Sequence, residues 1–197
     1  MLQNTLKEAT KNNHAKLEQL MFADQIMNGT LSIHQYKQIV TTNYLVHKLL
    51  EEYLISSLRS ETADKLNIET RRKLGSLTTD IYELKMNIPN QTFDSNNNNN
   101  IIFDDDASIL GALYVLEGST LGGNVIVKRL KINPNLSSLN LDFHYYQIYG
   151  SNLIQNWKEF CEILNVQPLD TYTNSIDGAK RMFAFIAFVQ QSVIAMN

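Results

Sequence analysis

Along most of the chain apolar residues recur three and four positions apart, the spacing of one helix face, and strand-like alternation is scarce. Thr5-Leu6-Lys7-Glu8 has the form of a capping box and predicts a first helix from Thr5 past His14 to Leu20. Ser32-Ile33-His34-Gln35 is a second such box, followed by Tyr36, Ile39, Val40, Leu50, Tyr53 and Leu54 at helical spacing to about Leu58. Leu74, Leu77, Ile81 and Leu84 predict an amphipathic helix from Glu69 to about Asn87, stopped by Pro89, with Arg71, Arg72 and Lys73 on its solvated side. The polar tract that follows has no face to bury and reads as a mobile loop over about 90–103. Asp104-Asp105-Asp106 supplies capping oxygens for a helix expected to reach Lys131. Two more follow: Phe143 to Leu164, with Trp157, Phe160 and Leu164 inward and a break allowed at Gly150, and Ser175 to Ile194, with Ala179, Met182, Phe183, Ile186 and Val189 inward. An all-α, single-domain multi-helix bundle over residues 1–197 is the fold this pattern predicts.

Composition narrows the functional classes. At 197 residues the chain can bury a core without staples, and its single cysteine excludes an internal disulfide. The formal charge is −3 with no basic block, so nucleic acid is not an expected partner. Neither a charged-then-apolar leader nor a long apolar run is evident in the pattern, which predicts a cytoplasmic protein without a membrane partner.

The stretch Leu113 to Gly123, Leu-Tyr-Val-Leu-Glu-Gly-Ser-Thr-Leu-Gly-Gly, departs most from ordinary helix-building. Each interior glycine costs about 1 kcal/mol relative to alanine, and Gly111, Gly118, Gly122 and Gly123 all fall in one predicted helix. At about 100° per residue, Gly111, Gly118 and Gly122 lie within roughly 40° of one another. Their shared face is bare backbone, open to close approach by another helix or by a large flat ligand.

In the first helix Lys7, Lys11 and His14 share a face, and Glu18 lies four residues beyond His14. One reading is a solvated face with a chance histidine. The other makes His14 an axial metal ligand, Glu18 the acceptor for its second ring N–H, and Lys7 and Lys11 the partners of ligand carboxylates, which is the donor set a heme with two propionates would use. His34 and His47 read as structural or surface residues, and Cys161, beside an apolar stripe, as a core thiol. Glu117-Gly118-Ser119 lacks the strand-turn-helix context of a serine nucleophile.

The run Leu6-Lys7-Glu8-Ala9-Thr10-Lys11-Asn12-Asn13-His14, with Glu18, closely resembles the first helix of biliverdin-producing heme oxygenases, and Leu113 to Gly123 resembles the distal helix of their bacterial branch. Arg72 to Leu84 and Ala179 to Phe183 resemble further helices of that family in the same order. The resemblance implies a heme oxygenase-like bundle with heme b, both cofactor and substrate, between the first helix and the glycine-containing distal helix. It implies His14 as iron ligand, Glu18 as its partner, Lys7, Lys11 and Tyr114 near the propionates, Gly118, Gly122 and Gly123 as backbone over the ring, and Phe183 at the pocket edge. Gly118, Ser119 and Gly122 would be the catalytic positions, Ser119 standing where the animal enzymes carry a water-organising aspartate.

The implied reaction opens heme to biliverdin, carbon monoxide and ferrous iron, using O2 and electrons from a donor such as ferredoxin, flavodoxin or a flavin reductase. Alternatives from other classes are a non-catalytic heme carrier or sensor, a thiaminase-like hydrolase that would need Cys161 as nucleophile, and an interaction module without a ligand.

Overall fold

In the computed structural model, residues 1–89 and 101–196 are described; the tract 90–100, expected to be a mobile loop, lies outside them. Nine α-helices form the described part: α1 (Leu2–Leu20), α2 (Ala23–Asn28), α3 (Ile33–Ser57), α4 (Ser60–Leu66), α5 (Leu74–Glu83), α6 (Asp106–Gly118), α7 (Gly123–Lys131), α8 (Leu153–Asn165) and α9 (Tyr172–Ala195). No strand occurs among the described residues. One core runs through all of them, from Leu2 and Leu6 to Val189 and Val193.

The long α9 is the centre of the packing, against α6 on one side, α1 on another and α3 on a third. At the α6–α9 crossing, a Cβ on Gly111 would lie 1.9 Å from the Ser175 carbonyl oxygen, and one on Gly178 would lie 2.0 Å from that of Ser108. Only glycine lets the two main chains meet this closely. Both α1 and α6 therefore rest on α9, while packing little on each other.

The orientation of α1 is pinned at both ends. The Gln3 N–H donates to Asn165 Oδ1 (3.1 Å), and buried Gln190 donates to the Leu20 carbonyl (3.0 Å) while accepting the Thr42 hydroxyl (2.5 Å). This helix begins at Leu2, a turn earlier than its Thr5 box predicts, because burial of Leu2 and Leu6 draws the first turn onto the core. The Thr5 hydroxyl bonds back to the Met1 carbonyl instead of capping.

The Ser32–Gln35 box forms as read, and Asp105 makes a reciprocal cap with Ser108 at the start of α6. Other expectations are corrected. The helix predicted from Glu69 to Asn87 is a 3-10 turn over Ile68–Arg71 and then α5, which ends before Pro89 because Lys85 turns left-handed at φ +51°. Between Phe143 and Leu164 only α8 is an α-helix, since Phe143 sits at φ +60° and Asp80 takes the N–H groups of His144 and Tyr145 at 2.7 and 3.0 Å. At the end of the expected loop Phe103 is fixed, exchanging hydrogen bonds with the Tyr53 hydroxyl at 2.9 and 3.1 Å.

The helix expected to run to Lys131 breaks after Gly118. Residues 119–122 form overlapping three-residue turns: Thr120 N–H to Glu117 O (3.2 Å), Leu121 N–H to Gly118 O (3.1 Å) and Gly123 N–H to Thr120 O (2.8 Å). Glycine weakens the helix here, and the Ser119 and Thr120 hydroxyls donate back to Leu116 and Glu117 carbonyls at 2.7 Å, competing with helical pairing. By length and mean hydropathy Asp106–Lys131 could cross a membrane, contrary to the expectation of no such run. It is interrupted at this turn and 56% of its most apolar window is buried, the pattern of a core segment.

Candidate functional site

On α1 the side chains of Lys7, Lys11, His14 and Glu18 all face outward. His14 Nδ1 lies 3.3 Å from Glu18 Oε2, and both side chains are more than half exposed, at 61% and 56%. With Nδ1 directed at the carboxylate, Nε2 is the nitrogen left for a ligand, and the carboxylate orients the ring. Phe183, projecting from α9, meets the His14 ring edge-on at 6.1 Å between centroids and is itself buried.

The α6–α7 turn carries the other candidates. Gly122 is exposed and Gly118 half-buried. A Cβ on Gly118 would meet only the Trp157 ring, at 3.7 Å, and one on Gly122 only its own helix neighbour Ile126, at 3.5 Å. Neither has a positive φ. Neither backbone conformation nor packing thus requires glycine at these two places.

Gly123 differs: a Cβ there would fall 2.3 Å from the Tyr146 carbonyl oxygen, so the fold itself calls for glycine. The Ser119 hydroxyl is shared between the Leu116 carbonyl and the Tyr145 hydroxyl, 3.1 Å away. Tyr145 is pushed up to about 12 by burial, so it stays protonated. Tyr114 is half-buried, its ring tilted against Trp157 at 5.7 Å.

Behind the turn lies a buried ionic cluster. Glu117, 3% exposed, accepts hydrogen bonds from Arg71 (2.7 Å), from Lys73 and from the Tyr149 hydroxyl (2.9 Å). Burial alone would raise its pKa, but the charges of Lys73 and Arg71 outweigh that and hold it below the ordinary carboxylate value. Glu51 of α3 caps α5 by accepting the N–H groups of Lys73 (2.7 Å) and Leu74 (3.2 Å), and also bonds His47 Nδ1 (2.9 Å). Burial lowers the pKa of His47, which stands neutral beside Glu51. This overturns the reading of Arg71 and Lys73 as solvated: both are among the buried charged residues, while Arg72 alone pairs outward with Glu69 and Glu52.

A cavity of about 20 Å3 adjoins this cluster, lined by His47, Glu51, Lys73 and Glu117 among others, and no organic substrate fits it. The Cys161 thiol is buried and pushed up to about 11 by desolvation, the setting of a packed core thiol rather than an activated one.

A family model described as Heme oxygenase matches residues 1–191. The chain belongs to the heme oxygenase family. A heme oxygenase of Xanthomonas campestris is 35% identical over 82 residues, which make up 40% of this chain and 47% of that relative, so the match spans about half the relative's length. Among solved structures, the heme oxygenase of Neisseria meningitidis superposes with a TM-score of 0.72 at 18% identity, covering 99% of this chain and 92% of that one. A heme oxygenase-1 of the cyanobacterium Synechocystis, solved with heme, gives 0.71 at 16% identity over 99% and 95%. These likenesses establish the heme oxygenase fold.

Within this heme oxygenase fold the cluster around Glu117 was not singled out from sequence, although one signal was present. Glu117 is a lone carboxylate in the otherwise apolar run Ile109 to Gly118, and a buried carboxylate requires cationic partners. What the sequence did not indicate was which cations.

Proposed function

We propose that this chain is a working heme oxygenase, a single domain that opens heme to biliverdin, carbon monoxide and ferrous iron using O2 and an external electron donor. The observation that carries the reading is the pair Gly118 and Gly122: neither packing nor backbone conformation calls for glycine at either, so both leave bare backbone that something outside the chain can approach closely. A flat macrocycle is such a partner. His14 fits the same group, with an outward ring, a carboxylate on Nδ1 and Nε2 to give. Heme, when bound, supplies the iron at which O2 is activated and the carbon skeleton that is cleaved.

The residues of the chain then have separate tasks. His14 would hold the iron through its Nε2, a weaker donor than a thiolate, with Glu18 orienting the ring through Nδ1. Lys7 and Lys11, exposed on the same face of α1, would pair with the propionates, with Tyr114 as a hydrogen-bonding partner. Phe183 supports the imidazole from α9. Gly118 and Gly122 would let main chain approach the ring closely and exclude bulk water there. Ser119, already bonded to Tyr145, offers a fixed hydroxyl beside that face, and Gly123 secures the turn against Tyr146.

The test is a titration of the purified protein with hemin followed by aerobic reduction. Wild type should bind one heme with the spectrum of a histidine-ligated ferric iron and then develop the absorption of biliverdin. His14→Ala should lose that ferric spectrum and at least tenfold in product, with partial recovery on adding imidazole. A wild-type protein that binds heme and leaves it intact under reductant and air is a carrier, and this reading fails.

A further inference from the structure

We infer that Arg71, Lys73 and Tyr149 are positioning residues for the glycine-bearing turn: by gripping Glu117 they fix where α6 stops, and hence where Gly118 and Gly122 stand above the heme. The inference rests on the heme oxygenase reading for its purpose, though not for its geometry.

Glu117 immediately precedes Gly118, in the last turn of α6. Its carboxylate is gripped from three directions by groups that are themselves anchored. Arg71 donates Nε to the Leu66 carbonyl at the end of α4 (2.8 Å) and Nη2 to the Asn156 carbonyl in α8 (3.2 Å), leaving Nη1 for Glu117. Lys73 Nζ donates to the Arg71 carbonyl (3.0 Å) as well as to Glu117 and to the Tyr149 hydroxyl (3.2 Å). The N–H of Lys73 is in turn held by Glu51 of α3. One carboxylate thus ties the end of α6 to α3, α4 and α8.

Asn156 is the neighbour of Trp157, whose ring is what a Cβ on Gly118 would meet. The clamp therefore sets the depth of the turn and the wall beside it together.

Such an arrangement is a poor way to gain stability. Burying two cations and a carboxylate costs desolvation that apolar side chains of similar volume avoid, whereas three donors converging on one carboxylate from separate elements restrict its position. A cluster that served only to balance charge would accept any anion at the site. A clamp that sets the register needs the full length of the glutamate side chain.

Two variants separate these roles, both read first without heme. Glu117→Gln keeps the shape and removes the charge; Glu117→Asp keeps the charge and withdraws it by one methylene. Hydrogen exchange at the Thr120, Leu121 and Gly123 amides should accelerate at least tenfold in both variants, with less than threefold change in the core of α3 and α9. Acrylamide quenching of Trp157, the single tryptophan, should rise at least twofold. On adding hemin, both variants should bind at least tenfold more weakly, with an altered ferric spin-state mixture.

Restoration of turn protection by aspartate, or exchange that rises equally in all helices, overturns the clamp in favour of charge balance or general stability. Should Glu117→Gln fail to fold, Tyr149→Phe, which removes one hydroxyl, should still raise exchange at the same three amides about threefold; no change there overturns the inference. A wild-type protein that fails to bind hemin defeats the proposed function, while the exchange data on the heme-free protein still decide the clamp.

Discussion

Two groups of glycines serve this molecule in opposite ways. At the α6–α9 crossing, Gly111 and Gly178 each face another helix's carbonyl oxygen at a distance no Cβ tolerates, and so the fold explains them. In the α6–α7 turn, Gly118 and Gly122 face almost nothing of the protein, and the fold does not. Gly111 and Gly178 stand inside helices, where glycine is unfavourable, whereas Gly118 ends α6 and Gly122 precedes α7. In the first the return is close contact between helices; in the second no described part of the chain comes that close. A glycine that packing and backbone conformation leave unexplained points to a ligand more sharply than one in a well-packed crossing.

The largest effect should come from filling the crossing. Gly178→Ala drives a methyl into the Ser108 carbonyl, and we expect about 3 kcal/mol of destabilisation by urea unfolding. A loss below about 1 kcal/mol would show that α6 and α9 can move apart, and would remove the contrast between the two groups.

Next comes the turn, where the sign should reverse. Gly122→Ala should leave stability unchanged or raise it by up to about 1 kcal/mol, because its negative φ suits alanine, the methyl meets no clash and the unfolded chain loses freedom. The bulkier Gly122→Leu should fold as well and bind hemin at least tenfold more weakly. Full hemin affinity in the leucine variant would mean that nothing approaches that backbone.

The smallest effect concerns pH. His47 is buried neutral with its pKa below the ordinary 6.5, so the unfolded chain binds more protons across the interval between the two values. Stability should be full above pH 6.5 and fall as pH drops through that interval. Because His47 bonds Glu51, which caps α5 at Lys73, the loss should appear first as faster amide exchange at the 119–122 turn and only later at the α6–α9 crossing. His47→Gln should flatten the decline; an unchanged slope would disconnect the imidazole from the turn.

Much of this architecture was legible because it is local. The His14–Glu18 pair and the Lys7–Lys11 face follow from helical spacing alone, and the Ser32 and Asp105 caps from patterns four residues long. The helix break at Phe143 and the inward turn of Arg71 and Lys73 were not legible in this way. Each depends on a partner far off in the chain: Arg71 and Lys73 meet Glu117 across 46 and 44 positions, and Asp80 meets Tyr145 across 65. Side-chain demand of that kind overrides local propensity, since an unpaired buried charge costs more than a broken helix turn.

By itself, then, the sequence determined an all-helical chain, the exposed donor face of α1 and a central segment poor in side chains, because periodicity and composition act over one or two turns. Only the tertiary structure decided which glycines are packing contacts and which are bare, and which basic residues are buried. Those distinctions depend on what the next helix brings to within a few ångströms, and that is fixed by packing around α9 rather than by any neighbour in sequence.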